Sequence, residues 1–110
     1  MTNITIHKTK TGEYHGFVCE GHAGYARRGQ DIVCAAVSVL VINTLNSLEK
    51  ITKEPLQAET DDKAGIIRCR FLNHPLKETS NVLLDSLVLG LSQIEKQYGQ
   101  KHCKLTFEEV

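Results

Sequence analysis

The stretch Gly21-His22-Ala23-Gly24-Tyr25-Ala26-Arg27-Arg28-Gly29-Gln30-Asp31-Ile32-Val33-Cys34-Ala35-Ala36-Val37-Ser38 changes character at its middle. Residues 21–30 hold three glycines and no apolar period, which reads as a loop. From Ile32 the apolar residues crowd together, and Asp31 just before them is a residue type that caps helices. A helix is therefore expected from an Asp31 N-cap to about Lys50. This junction divides the chain into a short segment before it and a longer one after it.

Upstream, Ile4 and Ile6 alternate with polar neighbours as in a strand, Thr11-Gly12 supplies a turn, and Tyr14 to Glu20 reads as the returning strand. Downstream, Pro55 leads into an extended piece from Leu56 to Thr60. Asp61-Asp62-Lys63-Ala64-Gly65 then turns the chain into a strand from Ile66 to Leu72. After Asn73-His74-Pro75, a second helix is expected from Lys77 to Tyr98. Leu83, Leu84, Leu87, Val88, Leu91, Ile94 and Tyr98 form its apolar stripe, and Gly99 stops it. Cys103, Leu105 and Phe107 alternate in a last strand. The order ββαββαβ predicts an α+β fold, an antiparallel or mixed sheet with two helices packed on it, in one domain spanning residues 1–110.

The first helix is apolar all round: Ile32, Val33, Val37, Val39, Leu40, Val41, Ile42, Leu45 and Leu48 surround the cylinder. Such a helix has to be covered on every side, which in so small a domain points to a second subunit. A membrane span is the weaker alternative. The uncharged run from Ile32 to Leu48 is shorter than the roughly 20 residues required and includes Ser38, Asn43, Thr44, Asn46 and Ser47.

Composition narrows the function. Thirteen basic and thirteen acidic side chains cancel in a chain of 110 residues. With no basic run, the electrostatic signature of direct nucleic-acid binding is missing. No secretory signal is evident at the amino terminus, so the expected setting is the cytoplasm, with Cys19, Cys34, Cys69 and Cys103 reduced. No Cys-x-x-Cys pair supports a metal site. Cys19-x-x-His22, with Cys34 further on, is the one suggestive spacing, and no metal or other cofactor is expected.

The chemistry resides in Cys34 and His22. With Asp31 as cap, the thiol is the third residue of the helix, where free N–H groups and the helix dipole favour an anion. A free thiol titrates near about 8.5, and such a site or an imidazolium lowers that to roughly 3.5–7.5. His22 closes the strand before the loop and is placed to act as general base. Packing is the competing reading for Cys34, since unpaired cysteines are commonly buried. The other histidines, His7, His15, His74 and His102, read as solvent-facing. Asp31 either caps the helix or orients the His22 imidazole, and one carboxylate cannot fully do both. Ser38, one turn beyond Cys34, shares its face and is a candidate for bonding His22 or a substrate carbonyl, or its own backbone. Gly21, Gly24 and Gly29, with Tyr25 and Arg27, describe a loop able to close over an extended peptide. Cys19, Cys69 and Cys103 read as packing residues.

The run Gly-His-Ala, a short loop, Gly-x-Asp-Ile-Val-Cys-Ala-Ala and a serine resembles the signature of the Prp family, the ribosomal-processing cysteine proteases, over nearly the whole chain. The resemblance implies a small α+β sandwich, a homodimer, and a Cys34–His22 dyad supported at Ser38. It also implies a substrate, the precursor of bacterial large-subunit ribosomal protein 27, whose short N-terminal extension is removed after an aromatic pair. On that basis the chain is expected to be a cysteine endopeptidase. Two other classes stay open: a noncatalytic ribosome-associated module that binds peptide or RNA, and a metal- or redox-responsive protein using Cys19, His22 and Cys34.

Overall fold

The computed structural model describes residues 2–21 and 30–110, with the backbone alone at Gln30 and Asp31. The chain runs β1 (Thr2–Lys8), β2 (Tyr14–Glu20), α1 (Gln30–Lys50), β3 (Leu56–Asp61), β4 (Ile66–Phe71), α2 (Glu78–Tyr98) and β5 (Cys103–Glu109). The expected order and number of elements are found. The sheet is mixed, in the order β3-β4-β2-β1-β5: every neighbouring pair is antiparallel except β1 with β5, which is parallel.

Alternation along the strands sorts the two faces of this sheet. Thr2, Ile4 and Ile6 of β1, Phe17 and Cys19 of β2, and Ile67, Cys69 and Phe71 of β4 point to the core. Val33, Val37, Val41, Leu45 and Leu48 of α1 and Leu84, Leu87 and Leu91 of α2 complete it. β3 is an exposed edge, and β5 is buried only at its first residue. At Gly16 a Cβ would collide with the carbonyl oxygen of Cys69, so close approach of β2 to β4 requires glycine there. The β1–β2 register slips between His7 and Lys8 and leaves His15 as the extra residue of a bulge. The His15 ring stacks on that of His74, centroids 3.8 Å apart. His7 approaches Glu108 at 4.0 Å, and both His7 and His15 are half-buried where the sequence reading expects them solvent-facing.

The two helices differ in how completely they are covered. α2 behaves as its stripe foretold, apart from Tyr98, which is exposed at its end. α1 buries one face and leaves Ile32, Val39 and Ile42 exposed at 64 %, 66 % and 42 %. With 21 residues it is long and apolar enough for a membrane span. Its buried valines and leucines nevertheless seat it against the sheet and α2, as the core helix of a folded domain.

At the far end of α1 the chain is tied to the start of α2. The backbone N–H of Glu54 donates to Leu48 O, and the buried Glu54 carboxylate accepts the Lys77 backbone N–H at 2.9 Å. Lys77 precedes α2 and supplies no side-chain cap itself, so a glutamate distant in sequence satisfies one free amide of that helix end. Lys77 Nζ in turn donates to the carbonyls of Thr52 and Lys53.

Candidate active site

Cys34 lies on α1 near its N-terminal end, where the helix passes over the first residue of β1. Its side chain is directed inward and only 6 % of the residue is exposed. Among the described residues, two polar groups meet the sulfur. Thr2 Oγ1 lies 3.3 Å from Sγ, and the carbonyl oxygen of Gly21 lies 3.7 Å away as acceptor of the thiol proton. Both come from the sheet: Thr2 opens β1, and Gly21 directly follows β2. Gly21 has φ 87°, a backbone conformation that favours glycine. Its N–H donates to Gly65 O, which fixes the carbonyl that faces the sulfur.

The helix start differs from expectation. α1 begins at Gln30, so Asp31 is its second residue rather than the cap that precedes it, and Cys34 is the fifth residue rather than the third. In a regular helix the unpaired amides belong to the first turn, ahead of Cys34, whose own N–H is already engaged. Asp31 is thus a residue of the first turn and not the residue that precedes the helix. The side chain of Asp31 lies outside the described residues, as do His22, Gly24, Tyr25, Arg27 and Gly29 altogether. The expected pairing of His22 with Cys34 falls there too. Ser38 is half-buried one turn beyond Cys34 and lines a shallow depression with Val39, Ile42, Asn43 and Asn46 on the open side of the helix.

The other three cysteines are unpaired, buried residues of the strands, the packing role expected for them. Burial pushes the Cys19 thiol up to about 12, with Cys103, Cys34 and Glu20 nearby adding to the rise. Burial likewise raises Cys69 to about 12, helped by Glu49, and Cys103 to about 11, helped by Glu95 and Cys34. These groups stay protonated near neutral pH and are poor nucleophiles. Among the described residues, no group of three His, Cys, Asp or Glu side chains is placed to hold a metal ion.

Sequence reasoning passed over Thr2. It is a fully buried polar residue beside the only cysteine carried by a helix. Nothing local marks it, because the contact spans 32 positions and depends on how α1 is laid across β1.

Comparison with known proteins gives this arrangement a family. The family model of cysteine protease Prp matches residues 1–103. The ribosomal processing cysteine protease Prp of Bacillus subtilis is 28 % identical over 102 residues, covering 89 % of this chain and 90 % of that protein. The protein of the same name from Staphylococcus aureus is 26 % identical over 100 residues, covering 91 % and 93 %. A crystal structure of the S. aureus protease with a substrate peptide superposes with a TM-score of 0.89 at 23 % identity, covering 98 % of this chain and all of that one. The fold is thus shared across the chain, and with residues 1–103 matching, this chain belongs to the cysteine protease Prp family and is a cysteine protease.

Proposed function

We propose that this protease uses Cys34 as nucleophile and His22 as general base, and that it removes the N-terminal extension of the precursor of large-subunit ribosomal protein 27. The observation that carries the assignment is the setting of Cys34. It is the one cysteine on a helix, its sulfur touches the carbonyl of Gly21, and Gly21 is the residue before His22. The three other thiols are held protonated in the core. The family's names support a ribosomal substrate, since the relatives in B. subtilis and S. aureus are ribosomal processing proteases.

In this reading His22 takes the thiol proton and the Cys34 sulfur attacks the scissile carbonyl carbon. The tetrahedral intermediate collapses as the imidazolium protonates the leaving amine, leaving a thioester. Water, deprotonated by His22, then attacks the thioester; a carboxylate product departs and the thiol is restored. The free amides of the first turn of α1 are the nearest helix donors for the oxyanion. Asp31, inside that turn, complements the positive end of the helix, and Asp31→Asn is expected to retain most turnover. A severe loss at unchanged thermal stability would instead assign it to orienting His22.

The test is incubation with the extended ribosomal protein, reading product mass. Cys34→Ala and His22→Ala are each expected to lower turnover by at least about a hundredfold with the fold intact. Near wild-type processing by Cys34→Ala would refute the mechanism, and a wild-type protein that leaves the extension in place would refute the substrate.

A symmetric homodimer in the cytoplasm completes the proposal. Ile32, Val39 and Ile42 form an exposed apolar stripe along α1, and leaving such side chains in water forfeits roughly 1.5–3 kcal/mol for each one that could be fully buried. A second copy offers the same stripe in return, the self-complementary arrangement of a two-fold interface. Sedimentation equilibrium at micromolar concentration is expected to give twice the chain mass, and Val39→Lys to give the single mass. A wild-type protein of monomer mass would overturn the dimer.

A further inference from the structure

We propose that the Thr2 hydroxyl is a further catalytic residue, a hydrogen-bond donor to the Cys34 sulfur that favours the reactive thiolate. Thr2 is fully buried, and its Oγ1 stands 3.3 Å from Sγ. Its N–H donates to His102 O at 3.0 Å and it lies in register with Cys103 of β5, so it belongs to the sheet rather than to a movable loop.

The direction of the hydrogen bond follows from where the protons can go. The thiol has one proton, and the Gly21 carbonyl, which can only accept, lies in line to take it. The hydroxyl also has one proton, and a buried O–H left without an acceptor is costly. Among the described residues the group in contact with Thr2 Oγ1 is the sulfur. Thr2 therefore donates to Sγ.

This bond changes strength with the charge on sulfur. A neutral thiol is a weak acceptor, whereas a thiolate receives a charge-assisted bond, about twice as strong as a neutral one. The Gly21 carbonyl acts oppositely: it accepts from the thiol and has nothing to offer the thiolate. Loss of the proton thus loosens the sulfur from Gly21, tightens it on Thr2, and turns it away from the loop carbonyl. Donation to the charged form is the arrangement that favours ionisation.

The inference rests on Cys34 being the nucleophile, and its test reads the thiol without substrate. The rate of Cys34 alkylation by iodoacetamide is followed by peptide mapping between about pH 6 and pH 9 in wild type, Thr2→Val and Thr2→Ser. Thr2→Val keeps the shape and removes the donor, so its rate near pH 7 is expected to fall about tenfold, with the deficit shrinking as pH rises. Thr2→Ser keeps the donor and is expected to stay within about twofold of wild type. Cleavage of the extended substrate should lose kcat/KM in the same order. An unchanged alkylation profile in Thr2→Val, or a Thr2→Ser variant as impaired as Thr2→Val, overturns the proposal. If Thr2→Val does not fold, Thr2→Ala, which crowds nothing, takes its place with the same expected loss and the same refuting result. Substrate cleavage by Cys34→Ala would sink the nucleophile assignment instead, and is read separately from the alkylation rates.

Discussion

Among the described residues, the two ends of α1 are held by contacts of different kinds. At the C-terminal end, Thr52 Oγ1 bonds both Leu48 O and Ser80 Oγ, Lys77 Nζ reaches the carbonyls of Thr52 and Lys53, and the buried Glu54 carboxylate takes the Lys77 N–H. Several of these bonds carry a charge on one partner, the stronger kind of hydrogen bond. At the N-terminal end, the contacts described for Cys34 are two bonds through sulfur, at 3.3 and 3.7 Å. Thiols are weak donors and weak acceptors. One end is tied down by charge-assisted bonds, and among the described residues the other holds the Cys34 sulfur with weaker ones.

The sharpest way to break this contrast is to ask which thiol reacts. In the folded protein, iodoacetamide is expected to leave one adduct per chain, on Cys34. Cys19, Cys69 and Cys103, buried and raised to about 11–12, should react at least about a hundredfold more slowly than a free thiol until denaturant is added. Intact mass and peptide mapping check this. A second adduct forming at a comparable rate would show that the core thiols are not shielded.

The tied end is tested by Glu54→Ala. It leaves the Lys77 amide without its partner and is expected to cost about 1–3 kcal/mol of unfolding free energy. Turnover per folded molecule should be unchanged, because the latch lies at the opposite end of α1 from Cys34. Chemical denaturation and active-site titration together separate the two. A loss of activity beyond the loss of folded protein would mean that the ends are coupled.

A weaker, pH-dependent effect involves both regions. Tyr14 is buried and donates to Asp85, which pushes its phenol above the ordinary tyrosine range, and burial also raises the three core cysteines. Each group keeps its proton in the folded state beyond the pH at which the unfolded chain releases it. Their stabilising effect is complete below about pH 9 and is lost as pH rises toward 11–12. Thermal melts from pH 8 to pH 11 should therefore show a falling midpoint, with Tyr14→Phe falling less steeply. A flat profile would contradict the burial of these protons.

Much of this architecture was readable from residues because the signals were local. Alternation at Ile4 and Ile6, the turn at Gly12 and the stripe of α2 each depend on neighbours within a few positions. β2 is found at Tyr14–Glu20, as its sequence suggested. The expected helix start failed by two residues because Asp31 serves equally well as a cap or as a first-turn residue, and only the helix itself decides. The apolar ring of α1 could not reveal which side would be left open. Its exposed stripe of Ile32, Val39 and Ile42 is fixed by where the sheet and α2 lie. Thr2 and Glu54 were invisible for the same reason. Their partners are Cys34 and Lys77, 32 and 23 positions away, and no spacing rule joins a strand residue to a helix laid across it.

The smallest expected effect sharpens the comparison at the tied end. Lys53 has φ 53°, a left-handed conformation that crowds its Cβ against the backbone. Its carbonyl accepts from Lys77 Nζ, so the latch holds the residue in this conformation, and the lysine side chain is exposed. Glycine adopts the same angle without the crowding, though it gives the unfolded chain more freedom, and the two effects partly cancel. Lys53→Gly is therefore expected to add about 0.5 kcal/mol, a rise of roughly 2–4 °C in Tm. Lys53→Ala retains the Cβ and should give no such gain, which separates backbone relief from loss of the lysine charge. Equal gains from both variants would place the effect in the side chain. A loss from Lys53→Gly would mean that the unfolded-state entropy outweighs the strain, and that the latch holds Lys53 in place at little cost.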